Sequence, residues 1–143
     1  MTKRDDDELA RAWYELMGRY HRIACVLDRV LQAEHGISGS EFEVLEQLAS
    51  ARPDCSLRLY ELGEHVHLTQ SALSRLVARL EAGGLVERAM CIEDRRSVYA
   101  RLTPAGRELY RRARPAHRRV LRDAGGDCLA AVGSALSPQP ARL

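Results

Sequence analysis

A mainly α-helical chain with one small β-hairpin is what this sequence predicts, and three observations predict it. Apolar residues recur at intervals of three and four over most of the length, the spacing of one helix face. A single stretch, residues 85–103, replaces that rhythm with alternating β-branched and aromatic positions around a charged tip, the pattern of a hairpin. Pairs such as His35-Gly36, Gly83-Gly84 and Gly125-Gly126 punctuate the runs. At 143 residues the chain has room for one well-cored domain rather than two.

The first helix is expected over residues 7–34. Leu9, Trp13, Leu16, Tyr20, Ile23, Leu27 and Val30 form a heptad-like stripe along one side of it. A helix at a chain end cannot bury such a stripe alone, so it packs on its own domain or on a second copy of itself. His35-Gly36 stops it, glycine being the usual terminator. Ser38 with Glu41, and Ser40 with Glu43, each fit a capping box for a second helix that turns Phe42, Leu45, Leu48 and Ala49 inward. Arg52-Pro53-Asp54 ends that helix.

A third helix covers residues 58–65, with Leu59, Leu62 and Val66 inward. Thr69 caps a fourth over 70–82, with Leu73, Leu76, Val77 and Leu80 inward and Gly83-Gly84 closing it. Strands at 85–91 and 97–103 flank the polar tip Ile92-Glu93-Asp94-Arg95-Arg96. Thr103-Pro104 opens the last long helix, threonine as cap and proline in the first turn. Leu109, Ala113, Ala116, Val120 and Ala124 share one face of it, while Arg107, Arg111, Arg114, Arg118 and Arg122 cluster opposite. Pro115 predicts a kink or break. Gly125-Gly126 predicts an end, 127–136 a short further helix, and 137–143 a disordered tail.

Composition narrows the function classes. Hydrophobic residues make up 45% and charged residues 29%, as in an ordinary globular protein. The formal charge of +2 is unevenly placed, acidic on balance over residues 3–8 and crowded with arginine over 88–122. Arginine far outnumbers lysine, which suits bidentate contacts with phosphates and base edges, although GC-rich coding produces the same bias. No apolar run approaches the ~18 residues of a membrane span, and the charged start lacks the apolar segment of a secretory signal. A cytoplasmic protein without membrane attachment is expected. Cys25, Cys55, Cys91 and Cys128 lie far apart with no Cys-x-x-Cys pair, against a structural zinc site or a disulfide frame. A glycine-rich phosphate loop, a nucleophile elbow and a metal-binding His-Glu motif are all missing, so no enzyme, cofactor or metal is expected.

Helix, turn of about three residues, helix, hairpin is the order of a helix-turn-helix with a wing. On the fourth helix the outward positions are Gln70, Ser71, Ser74, Arg75 and Arg79. Small polar residues there allow close approach to a major groove, glutamine and arginine read base edges, and the exposed amides favour a phosphate. A merely solvated face would also look like this. The wing tip favours DNA, because an arginine held on a rigid turn suits a minor groove. Double-stranded DNA is therefore the expected partner, contacted by Arg58, Thr69, Gln70, Ser71, Ser74, Arg75, Arg79, Asp94, Arg95 and Arg96.

The runs Leu62-Gly63, Leu68-Thr69-Gln70-Ser71-Ala72-Leu73-Ser74-Arg75-Leu76-Val77, Leu80-Glu81 and Gly84-Leu85-Val86-Glu87-Arg88 resemble the winged-helix signature of the MarR family of bacterial transcriptional regulators. Asp94-Arg95-Arg96 and Leu102-Thr103-Pro104-Ala105-Gly106 continue the resemblance, which spans roughly residues 13–117. It implies a homodimer with its first and last helices packed together and its recognition helices in successive major grooves of a palindromic operator. Arg96 would enter the flanking minor groove, oriented by Asp94. It also implies repression, relieved by a small aromatic or anionic effector bound between the dimer helices and the winged domain. On this view residues 1–36 are an N-terminal dimerisation helix, 37–103 the DNA-binding domain, 104–136 the C-terminal dimerisation helices and 137–143 a tail. Leu9, Trp13, Leu16, Leu109, Ala113, Ala116 and Val120 are expected in the dimer interface. Two features depart from the family pattern. Gly63 stands where alanine is common, which should loosen its helix slightly, and the segment after Ala124 is short and glycine-rich where a more substantial final helix is usual.

Trp13, Arg19 and Tyr20 are candidates for the effector pocket, although Trp13 and Tyr20 also belong to the apolar stripe. Cys91 has cationic neighbours in Arg88, Arg95 and Arg96, which favour a reactive thiolate, so a redox-sensing regulator of the same fold is one alternative. A metal sensor would recruit Cys25, Glu34, His35 and His117, none of them spaced four apart on a helix. A winged helix used only for protein–protein contact is the other alternative.

Overall fold

Four of the five described helices begin where the chain offers a cap side chain to their unpaired amides. In the computed structural model, which describes residues 2–51, 56–90 and 97–136 (backbone alone for 127–136), Thr2 opens α1 (Lys3–His35). Its hydroxyl accepts from the Asp5 amide, and the Asp5 carboxylate accepts from the Thr2 amide at 2.8 Å. This box lengthens α1 by a turn beyond the start at residue 7 that the apolar stripe suggested, since a cap leaves no apolar signal. Gly36, at φ 71°, ends α1 in the left-handed region where glycine has no steric cost.

Ser38 starts α2 (Gly39–Ala49), its hydroxyl accepting from the Glu41 amide at 3.1 Å; the competing Ser40–Glu43 pair lies inside the helix. Phe42, Leu45 and Leu48 are fully buried and Ala49 partly so. Val44 is also fully buried, because α2 is central and packs against α1, α3, α5 and the sheet. Residues 52–55, which include the expected Arg52-Pro53-Asp54 stop, fall outside the described residues.

A strand the sequence reading did not include follows: β1 (Ser56–Arg58). Three residues are too short to display a period of two. β1 leads into α3 (Leu59–His65), and Thr69 then caps α4 (Gln70–Ala82) by accepting from the Ala72 amide at 3.1 Å. β2 (Val86–Met90) and β3 (Val98–Leu102) form the hairpin, and β3 lies between the other two strands in an antiparallel sheet of order β1-β3-β2. The expected two-stranded wing is thus a three-stranded sheet, with Arg58 opposite Tyr99 and Val86 opposite Leu102.

Pro104 opens α5 (Pro104–Leu136), and Thr103 caps it by accepting from the Gly106 amide at 3.0 Å. A Cβ on Gly106 would lie 2.0 Å from the Leu85 carbonyl oxygen, so only glycine lets α5 start this close to the base of the wing. The break expected at Pro115 or at Gly125-Gly126 does not occur, and one helix replaces the expected pair. Pro115 faces solvent, where water can satisfy the carbonyl it leaves unpaired one turn back. Packing of α5 on α1 and α2 outweighs the weak propensity of the glycines.

The core joins Leu31, Phe42, Leu45 and Leu48 to Leu62, Leu73, Val77 and Leu80, with Ala113 and Ala116 closing it from α5. This corrects part of the expected dimer face. Ala113, Ala116 and Val120 are 0%, 3% and 5% exposed within their own chain, and Leu109 packs against the same core. Ala124, expected on that buried face, is exposed. Leu9, Trp13, Leu16 and Tyr20 remain bare at 58%, 57%, 43% and 60%.

Candidate nucleic-acid interface

Burial on one side of α4 dictates what the other side offers. Leu73, Leu76, Val77 and Leu80 are at most 4% exposed, and rotation by 100° per residue turns Gln70, Ser71, Ser74, Arg75 and Arg79 to solvent. All five are exposed, as is Thr69 at the cap. Among the described residues the side chains of Arg75 and Arg79 have no ion-pair or hydrogen-bond partner, which leaves both guanidinium groups free for phosphates or base edges. Short side chains near the start of α4 leave its first amides accessible.

Arg88 holds this face to the sheet. From β2 it donates to the Ser74 carbonyl at 3.2 Å, its amide donates to Glu81 at 3.2 Å, and its guanidinium pairs with that carboxylate at 3.7 Å. In the sequence Arg88 reads as positive charge near the wing and as the end of the Gly84–Arg88 run. Its spacing from Glu81 gave no sign of the latch, because strand and helix meet only after the Gly83-Gly84 turn. Across the strands, Arg101 binds Glu87 at 2.6 and 2.8 Å, directly opposite it in register.

Arg58, expected on the DNA, is committed to the sheet. Its Nε donates to Tyr99 Oη at 2.8 Å, and its guanidinium lies 5.5 Å from the centre of the Tyr99 ring. Hydrogen bonds with Tyr99 and Tyr60 raise its pKa still further above the ordinary arginine value. The wing tip, with Asp94, Arg95, Arg96 and the redox candidate Cys91, lies outside the described residues, as does Cys55.

A second feature lies between α1, α2 and α5, a cavity of about 450 Å³. Arg19 and Tyr20 line it and Trp13 does not, so two of the three expected pocket residues meet there. Sequence reasoning missed its other ionisable walls, Asp28, Glu43, Glu46 and His117, which come from three helices. Asp28 accepts from the Gly39 amide at 2.7 Å. Glu46 accepts from Tyr110 at 3.2 Å and pairs closely with Arg118. Arg118 also lies 2.6 Å from His117 Nδ1, which requires that nitrogen to be an acceptor on a neutral ring. The His117 ring stacks on Phe42 at 4.3 Å between centroids. Burial, reinforced by Arg118 and Arg114 and opposed by Glu46, pushes the His117 pKa below its ordinary value. Glu43 has no hydrogen-bond or ion-pair partner among the described residues, and burial raises its pKa against the opposing charge of His67.

Among the described residues, no group of His, Cys, Asp and Glu side chains is placed to hold a metal. Of the four residues a metal sensor would recruit, Glu34 binds Arg119 at 3.0 Å and the half-buried His117 stacks on Phe42. No described helix is long and apolar enough to cross a membrane.

Residues 35–97 match the model of the MarR family. The HTH-type transcriptional regulator YkoM of Bacillus subtilis (strain 168) is 34% identical over 84 residues, covering 59% of this chain and 53% of that protein. The homoprotocatechuate degradative operon repressor of Escherichia coli is 28% identical over 85 residues, covering 59% of this chain and 55% of its own length. The chain therefore matches about half the length of these curated relatives. Among solved structures, Sco3205, a MarR family transcriptional regulator from Streptomyces coelicolor in complex with DNA, is 32% identical. That structure superposes with a TM-score of 0.77 over 93% of this chain and 90% of the other.

Proposed function

The chain belongs to the MarR family of transcriptional regulators, and from that premise we propose that it acts as a homodimeric repressor, reading a palindromic operator through α4 and releasing it when a small molecule binds. One observation carries the DNA-reading part. The outer face of α4 sets Gln70, Ser71, Ser74, Arg75 and Arg79 on a helix whose inner face is locked in the core. Thr69 and the first amides of α4 meet a phosphate, and Arg75 and Arg79 supply charge. The wing is assigned to the flanking minor groove on the sequence pattern, with Arg96 entering and Asp94 orienting it. Such a protein works where chromosomal DNA is, in the bacterial cytoplasm.

The dimer follows from the bare stripe Leu9, Trp13, Leu16 and Tyr20, a contiguous apolar surface of the kind that marks an interface. The cavity is the effector site in this reading. With Glu46 set against Arg118, Asp28 and Glu43 still outnumber Arg19 in its wall, and His117 is held toward its neutral form. Between the aromatic and anionic ligands that the family resemblance implies, these walls favour an aromatic molecule that donates hydrogen bonds to Glu43.

Fluorescence anisotropy on DNA selected from a randomised duplex pool, repeated at several salt concentrations, tests the reading. The log–log slope should be about −0.9 per phosphate neutralised. Salt-insensitive binding, or no selected sequence at all, would remove the function. Adding benzylamine or benzoate to the complex tests the effector part. Benzylamine should release DNA, and bound DNA should weaken benzylamine binding by the same factor; release by benzoate alone would refute the charge argument.

A further inference from the structure

Gly63 lies in α3, in a backbone conformation that does not need glycine; the described glycines with positive φ are Gly36 and Gly84. Alanine would be the better helix former at this position. What glycine provides is room. A Cβ on residue 63 would stand 2.6 Å from Nε2 and 3.6 Å from Cδ of Gln70, and 3.4 Å from Cδ2 of Leu73. The carboxamide of Gln70, the first residue of the recognition helix, thus fills the space that any other side chain at 63 would occupy.

The two neighbours differ in freedom. Leu73 is 1% exposed and locked in the core. Gln70 is exposed, and no described residue hydrogen-bonds its amide. A methyl group at 63 would therefore be accommodated by Gln70 swinging away, with little effect on packing.

We propose that Gly63 is a positioning residue for sequence readout, seating the Gln70 carboxamide against α3 so that its donor and acceptor meet the base edge in one orientation. This rests on the reading of α4 as the helix that enters the major groove. A glutamine amide pairs with adenine N7 and N6 only when both atoms are aimed together. An unseated side chain samples several rotamers and must be ordered on binding, which erodes discrimination at that base pair and leaves phosphate contacts untouched.

Full-length wild type, Gly63→Ala, Gln70→Ala and the double variant, each used to select from a randomised duplex pool and then titrated on the wild-type site and its single-base variants, provide the test. Gly63→Ala and Gln70→Ala should lose preference at the same base pair of each half-site, on the order of tenfold. The double variant should lose no more base preference than Gln70→Ala alone, while Gly63→Ala should bind random duplex as wild type does and melt no lower than it, alanine being the better helix former. An unchanged Gly63→Ala base profile, or one altered equally in the Gln70→Ala background, overturns the proposal. So does a Gly63→Ala chain that fails to fold, since Gln70 would then not be yielding. Failure of the wild type itself to enrich a motif overturns the α4 reading as well, which separates the two.

Discussion

α1 and α5 are both 33 residues long and pack on each other, and both carry an apolar stripe at near-heptad spacing, yet the stripes meet different fates. On α5 the stripe is Ala113, Ala116 and Val120, almost wholly covered by the rest of the chain. On the first half of α1 it is Leu9, Trp13, Leu16 and Tyr20, about half exposed, and in that helix only Leu31 is fully buried. Residue size accounts for the contrast. Alanines let α5 lie close against α2 and complete the core there. Leucine, tryptophan and tyrosine project from α1 past the edge of that core, where the described residues leave them about half exposed. Periodicity marks a face to be covered; side-chain volume helps to show by what.

The buried side of this comparison breaks most severely at Phe42, which stacks on His117 and lies 5.5 Å from the Tyr110 ring where α2 meets α5. Phe42→Ala should cost about 3–5 kcal/mol in denaturant unfolding, the range for emptying a fully buried aromatic site. A cost below 1 kcal/mol would show that α5 is not anchored there.

The exposed side breaks at Trp13. Trp13→Glu should leave the melting behaviour of the isolated chain nearly unchanged, because the side chain is 57% exposed within it. The same substitution places an unpaired charge in the proposed interface, so the dimer dissociation constant should rise by about two orders of magnitude or more. Light scattering across the micromolar range reads this directly, and an unaltered dimer would move the interface elsewhere.

Two groups sharpen the comparison through pH, with opposite signs. His117 is neutral in the fold and its pKa lies below the ordinary 6.5, so the unfolded chain binds more protons. Its contribution is complete above about pH 6.5 and is lost as pH falls toward the lowered folded value. His117→Phe keeps the stack on Phe42 and should flatten the fall in melting temperature between about pH 7 and pH 5. Glu43 behaves the other way. Its folded pKa is raised above 4.5, so its ionisation opposes folding as pH rises through that range. Glu43→Gln should raise the melting temperature slightly at neutral pH, with the gain vanishing in acid; a loss at neutral pH would mean that the carboxylate has a stabilising partner.

Much of the winged helix was legible in the order of residues. Thr69 as cap, Gln70–Ala82 as helix and Leu73, Leu76, Val77 and Leu80 as its buried side all match the structure, as do the Gly36 stop and the Thr103-Pro104 start. These features depend on groups within a turn or two of one another, so a local reading suffices. The exposed polar face of α4 follows from the same geometry. Tertiary structure decided the rest, because it depends on what arrives from distant sequence. β1 exists because β3 offers it a free edge, and α5 runs through Pro115 and Gly125-Gly126 because its inner face is held by α1 and α2. Arg88 becomes a latch only when β2 folds back on α4. Gly63, a weak helix former when read along the chain, becomes the seat of Gln70 only when α3 and α4 cross. Caps and periodicity are properties of neighbours in sequence, whereas burial, pairing and room for a side chain belong to neighbours in space.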